Sequence, residues 1–212
     1  MFFKEDMIML TKNGVLVLQG DSITDAGRFG DPEQLGQGYP RMVAKYIENF
    51  YPELSMKVIN KGISGNRSKD LVARWKEDTL DLNPTIVTIL IGINDTWRAF
   101  DSADPTSAEE YAKNCEIIMK QTKDAGASLI ILEPFAVPTG TVKDTWRPDI
   151  DPKIDALRAL SVKYADAYIP LDGIFYNLSV ETAPEIFTGD GVHPSPAGHR
   201  VIAKEIIKIL EG

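Results

Sequence analysis

Apolar residues fall along this chain in two alternating patterns. Short runs rich in Val, Ile and Leu occupy positions 15–18, 57–60, 86–91, 129–132 and 168–171. Runs of this length without alternation predict strands buried on both faces. Between them the apolar positions take helical spacing. Segment 39–50 carries Met42, Val43, Tyr46, Ile47 and Phe50, and segment 68–80 carries Leu71, Val72, Trp75 and Leu80. Segment 107–125 carries Tyr111, Cys115, Ile118, Met119 and Thr122. Segment 151–165 carries Ile154, Leu157, Leu160 and Tyr164, and segment 196–210 carries Val201, Ile202, Ile206 and Ile209. Side chains recurring three and four apart share one helix face.

Local signals agree with these elements. Asp151-Pro152 predicts a cap followed by proline in the first turn, and Pro105-Thr106-Ser107 precedes the acidic turn Glu109-Glu110. Gly126 stands where a left-handed C-cap would end the third helix. Strand and helix alternate five times, which specifies parallel strands, right-handed crossovers and a three-layer α/β/α sandwich. The length, 212 residues, suits one domain over 1–212, with no repeat or linker. Positions 134–150 hold three prolines and no clear period, and read as a long loop.

Charge narrows the partners. Lys plus Arg number 23 against 31 Asp plus Glu, a net charge of −8. Such a surface repels phosphate backbones and anionic lipid, so neither nucleic acid nor membrane is expected as a partner, while a neutral substrate meets no such barrier. The single cysteine, Cys115, cannot form an internal disulfide and reads as a small core residue. The first residues, broken by Lys4, Glu5 and Asp6, lack a clean apolar signal region, and no run approaches a membrane span. The chain therefore reads as soluble and cytoplasmic. Segment 1–10 reads either as an interface strand, which would give a homo-oligomer, or as a covering segment.

In open α/β sheets ligands bind at the carboxyl ends of the strands, so the residues following each strand carry the functional question. After the first strand stands Gln19-Gly20-Asp21-Ser22-Ile23-Thr24-Asp25. Ser22 either presents its hydroxyl at the sheet edge, with its own N–H free at a helix start, or caps a plain turn. After the second stands Asn60-Lys61-Gly62-Ile63-Ser64-Gly65-Asn66, whose two glycines allow close backbone approach to a ligand. After the third stands Gly92-Ile93-Asn94-Asp95, where Asn94 offers a side-chain amide or an Asx turn. Near the C-terminus stands Asp190-Gly191-Val192-His193-Pro194, followed by the second histidine, His199, which reads as structural. Asp190 and His193 are close enough for a carboxylate to orient an imidazole base. The two histidines lack metal-ligand spacing and no cysteine is nearby, so no metal is expected. The set contains a nucleophile, a base, an orienter and three convergent donors, which is the inventory for acyl transfer.

These four blocks, in this order from Gly20-Asp21-Ser22-Ile23-Thr24 to Gly198-His199, resemble the SGNH hydrolases, also called GDSL-type esterases. The resemblance implies a flavodoxin-like sandwich around a parallel five-stranded sheet. It makes Ser22 the nucleophile, and Asp190 and His193 the remaining triad members. The oxyanion hole is then the N–H groups of Ser22 and Gly65 with the amide of Asn94; Gly62 is the neighbouring candidate to Gly65. The chain has isoleucine where the family's first block usually carries leucine, and it lacks the Gly-x-Ser-x-Gly elbow of α/β-hydrolases. Val58 to Asn66 and Ile91 to Arg98 are similar to the bacterial carbohydrate acetylesterase branch, in particular acetylxylan esterases. There Trp97 and Arg98 either face a sugar in the pocket or are a packed indole and a surface cation. The implied reaction is hydrolysis of short acyl esters of carbohydrates without a cofactor. Two other readings are a thioesterase or lysophospholipase, with loop 134–150 and Trp146 lining an acyl groove, and a non-catalytic carbohydrate- or nucleotide-binding module.

Overall fold

The computed structural model describes residues 8–212. The expectation for segment 1–10 therefore falls largely outside the described residues. Five strands form one sheet: β1 (Val15–Gly20), β2 (Lys57–Asn60), β3 (Ile86–Leu90), β4 (Ser128–Leu132) and β5 (Ala167–Ile169). Their order is β2-β1-β3-β4-β5, and every neighbouring pair is parallel. The α-helices among the described residues are α1 (Ser22–Asp25), α2 (Tyr39–Phe50), α3 (Ser68–Asp78), α4 (Ile93–Asp101), α5 (Ala108–Asp124), α6 (Arg147–Tyr164), α7 (Leu171–Glu181) and α8 (Pro196–Glu211).

The two-residue alternation of a strand divides the core into two layers. Leu16, Leu18, Ile86, Leu90, Ile130 and Leu132 point to one face, where Val43 and Ile47 of α2 meet Ile202 and Ile206 of α8. Val87, Ile89, Leu129 and Ile131 point to the other, against Leu71 and Trp75 of α3, Tyr111 and Ile118 of α5, and Leu157 of α6. Both faces are covered, as an all-parallel sheet requires. The chain leaves β1 to one side for β2 and crosses to the other side for β3, so the order reverses at β1. A crevice opens at the carboxyl ends of strands where such a reversal occurs.

Several boundaries differ from the expectations. Helix α6 starts at Arg147, with Pro148 in its first turn, and Pro152 lies inside it rather than at its start. The Arg147 guanidinium makes two hydrogen bonds to the Asp172 carboxylate, at 3.0 and 2.8 Å, and fixes this earlier start. Burial of Ile150, Ile154 and Leu157 offsets the helix bond that Pro152 cannot make. Loop 134–150 is thus shorter than expected. Strand β5 ends at Ile169 because Pro170 has no N–H and Leu171 opens α7. Neither α7 nor α4 is anticipated by the apolar pattern as read above. The start of α5 follows its signals: Ser107 caps it, accepting from the Glu110 N–H at 3.1 Å, and Gly126 beyond its end has φ +80°.

Candidate active site

Ser22, Gly65 and Asn94 sit on the segments leaving β1, β2 and β3, while Asp190 and His193 lie in the loop between α7 and α8. Ser22 is the first residue of α1, two positions beyond β1. The Asp21 side chain caps this turn by accepting from the Ile23 N–H at 3.0 Å, which leaves the Ser22 N–H without a partner among the described residues. Asn94 lies in the first turn of α4, which follows β3 almost directly. It does not cap that helix. Its Nδ2 donates to the Asn66 carbonyl at 3.1 Å, and its second amide hydrogen stays available.

The two loop glycines differ in hydrogen bonding. The Gly62 N–H donates to Asn60 Oδ1 at 2.9 Å, and a Cβ there would lie 2.2 Å from the Asp25 nitrogen. Gly62 is a packing glycine. Gly65 has φ +84°, a left-handed conformation that a side chain would strain, and its N–H has no partner among the described residues. The same loop therefore offers one spent donor and one free one.

The carboxyl-terminal block comes to the same edge. Ser22 Oγ and His193 Nε2, 171 positions apart in sequence, are 2.9 Å apart. His193 Nδ1 lies 2.6 Å from Asp190 Oδ2. The other Asp190 oxygen accepts from the N–H groups of Val192 and His193 at 2.9 and 2.7 Å, and from Thr188 Oγ1 at 3.2 Å. Burial alone would raise the Asp190 carboxyl, but the His193 ring and the two N–H groups hold it below the usual carboxylate range. An ionised Asp190 accepts a hydrogen bond from Nδ1–H, which keeps the proton on that nitrogen and leaves Nε2 as the basic one. Loop 134–150 holds this block in place: the Val137 N–H donates to the Gly191 carbonyl and the Thr141 N–H to the Asp190 carbonyl, both at 3.0 Å.

His199 is not part of this arrangement. Its Nδ1 accepts from the Tyr39 N–H at 3.2 Å, and burial, helped by the charge of His193, lowers its pKa to about 4. It is a neutral structural imidazole, as the sequence suggests. Trp97 lies half-buried one turn along α4, with its ring centroid 5.7 Å from that of His193. Trp146 packs behind it at 5.7 Å, and the partly exposed Phe100 stacks on Trp146 at 5.1 Å. Arg98 reaches over the Trp97 ring at 5.6 Å and pairs with Asp101 at 2.7 Å. The structure thus places the Trp97 indole beside His193 and turns the Arg98 cation back on its own helix.

The sequence reading does not single out Asp25, Arg74 or Thr188, all of which brace the site. Part of the signal lies in the sequence, because Asp25 ends the block that carries Ser22 and Thr188 stands two positions before Asp190. Among the described residues no group of three or more His, Cys, Asp or Glu is arranged to hold a metal ion, and no helix is long and apolar enough to cross a membrane.

A model of the GDSL-like lipase/acylhydrolase family matches residues 18–201. The chain belongs to this family. An acetylxylan esterase from Geobacillus stearothermophilus is 33% identical over 202 residues, covering 91% of this chain and 92% of the relative. An arylesterase from Vibrio mimicus is 26% identical, over 84% of this chain and 86% of that protein. Among solved structures, a protein described as a GDSL-like lipase from Parabacteroides merdae superposes with a TM-score of 0.91 at 28% identity, covering 96% and 98% of the two chains. The Geobacillus acetylxylan esterase superposes with a TM-score of 0.85 at 32% identity, covering 94% and 95%. Variants of that esterase with a serine, an aspartate or a histidine replaced by alanine are described as catalytic mutants, and the last two stand three positions apart, as Asp190 and His193 do.

Proposed function

We propose that this GDSL-type carboxylic ester hydrolase cleaves short acyl esters, chiefly acetyl groups on carbohydrates such as xylo-oligosaccharides, through an acyl-enzyme on Ser22. The observation that carries the mechanism is the continuous file from Ser22 Oγ to His193 Nε2 and from His193 Nδ1 to Asp190 Oδ2, at 2.9 and 2.6 Å. His193 Nε2 takes the Ser22 proton as Oγ attacks the ester carbonyl carbon. Asp190 stabilises the imidazolium that results. The N–H groups of Ser22 and Gly65 and the free amide hydrogen of Asn94 receive the developing oxyanion. The tetrahedral adduct collapses, the C–O bond to the alcohol breaks, and His193 gives the alcohol its proton. Water then attacks the acyl-enzyme with His193 again as base, releasing the carboxylic acid and restoring Ser22.

The carbohydrate part rests on two supports. One is the similarity to a protein named acetylxylan esterase, at 33% identity. The other is the Trp97 ring beside His193, since an indole face packs well against the C–H face of a sugar. In the test, purified enzyme and its Ser22→Ala variant are given peracetylated xylobiose, other acetylated sugars and a series of p-nitrophenyl esters. The wild type should release acetate from the xylobiose derivative and prefer acetyl to long-chain esters, and Ser22→Ala should release essentially none. Turnover that survives in Ser22→Ala removes the mechanism. A preference for long acyl chains removes the acetyl assignment and leaves the mechanism standing.

A further inference from the structure

The free Gly65 N–H is useful to an oxyanion only if its peptide plane is held still. The residues on either side of it are each held by a partner. Ser64, immediately before, donates its N–H and its hydroxyl to Asp25 Oδ2, at 3.2 and 2.7 Å. Asn66, immediately after, receives Arg74 Nε on its side-chain oxygen at 2.8 Å and Asn94 Nδ2 on its carbonyl at 3.1 Å. Arg74 also reaches the Lys61 carbonyl of the same loop at 3.0 Å and the Gly20 carbonyl at the end of β1 at 3.3 Å.

Asp25 differs from the other braces in where it stands. It is the last residue of α1, the single turn that begins with Ser22. It is buried, while Ser64 and Gly65 are exposed. Its other oxygen accepts from the Arg28 N–H at 3.0 Å, and the Arg28 Nε donates to the Gly62 carbonyl at 2.6 Å. One carboxylate thus ties the turn that carries the nucleophile to the loop that carries the donor. It touches neither the ester nor the reacting atoms. Two of the hydrogen bonds it accepts come from one residue, Ser64.

We propose that Asp25 is a positioning residue, which sets the distance between the Ser22 hydroxyl and the Gly65 N–H by gripping Ser64. The proposal rests on the assignment of Gly65 as an oxyanion donor made above. Without the grip the left-handed turn at Gly65 would sample other orientations, and the donor would have to be ordered during the reaction rather than before it.

The test uses the full chain with p-nitrophenyl acetate. Asp25→Asn keeps the shape of the side chain and places an amide where an acceptor is needed. Ser64→Ala removes only the hydroxyl, at an exposed position. Asp25→Asn should lower kcat roughly 10- to 100-fold, less than the loss of a donor outright. Ser64→Ala should lower kcat roughly threefold or more, the size of one lost hydrogen bond. KM should stay within about twofold, because the ground-state carbonyl gains little from the hole. The acid limb of the pH–rate profile should not move, because the base is untouched. The combined variant should be no slower than Asp25→Asn alone, since both changes break one contact.

An unchanged kcat in Ser64→Ala overturns the proposal, and this variant decides the matter should Asp25→Asn fail to fold. Fully additive effects, or a displaced acid limb, overturn it as well, by placing the effect of Asp25 elsewhere. A normal kcat in both variants alongside an inactive Ser22→Ala separates failure of this proposal from failure of the acyl-enzyme mechanism.

Discussion

At the residue scale the most unusual group is Asp21. Its carboxyl is fully buried, one oxygen caps α1, and the other has no hydrogen-bond partner among the described residues. Burial raises its pKa to about 7, against the opposing pull of the Ile23 N–H and of His193. The sign follows from linkage. Between the unfolded value of 3.8 and about 7 the folded chain holds a proton that the unfolded chain has lost, so stability falls as pH rises through this window. His199 acts in the opposite sense, because its pKa is lowered to about 4 in the folded chain. A comparison of wild type with Asp21→Asn cancels the histidine. Asparagine can still cap Ile23, so the variant should gain stability relative to wild type as pH rises from 4 to 8, by up to about 4 kcal/mol. Urea unfolding midpoints across this range check it, and a constant gap between the two proteins would show that Asp21 ionises at no cost.

Ser22, Asp190 and His193 are legible in sequence because each is a reactive type just beyond a buried run or inside a short turn. Asp21 and Asp25 are legible only as members of a motif. Whether a carboxylate meets water, a cap or a serine depends on chain segments far away, and no local pattern records that. The same limit makes Gly62 and Gly65 alike in sequence, because the difference between them lies in the Asn60 side chain that occupies the Gly62 N–H.

At the element scale α4 does more than the pattern suggests. Gly92-Ile93-Asn94-Asp95 has turn composition, yet Gly92 adopts φ +133° and the helix begins at once. One helix thereby presents Asn94 at its first turn and Trp97 a turn later, beside His193. The two should separate kinetically. Asn94→Ala should cost roughly 100- to 1,000-fold in kcat on every ester, as for loss of an oxyanion donor. Trp97→Ala should raise KM for acetylated xylobiose and leave p-nitrophenyl acetate nearly unaffected. Steady-state kinetics on both substrates tests this, and an equal loss on the two would make Trp97 a support for His193 rather than a sugar platform.

Helix α7 was legible in principle. Leu171, Ile174, Phe175 and Leu178 have helical spacing, but Pro170 and Gly173 read as loop chemistry. Helix α6 shows the converse, where a proline that signals a start lies well inside because tertiary burial and the Arg147–Asp172 pair outweigh it.

At the scale of the whole molecule the alternation of runs and helical segments captures the α/β architecture and the five parallel strands, since a strand buried on both faces has a distinctive composition. The sheet order is not written in any one segment. It arises from which layer each helix covers, and it is this order that gathers Ser22, Gly65 and Asn94 at one end of the sheet.

Cys115 lies within the layer formed by α3, α5 and α6, fully buried, and burial pushes its thiol well above the ordinary range. A thiol in that state reacts only when the layer opens. An aromatic disulfide reagent should therefore label the native protein far more slowly than the urea-unfolded chain, at a rate that reports how often this half of the core breathes; immediate native labelling would contradict the burial. The sole sulfhydryl is in effect a stopwatch for opening. Any cysteine engineered onto the exterior would then be the one site that accepts a dye.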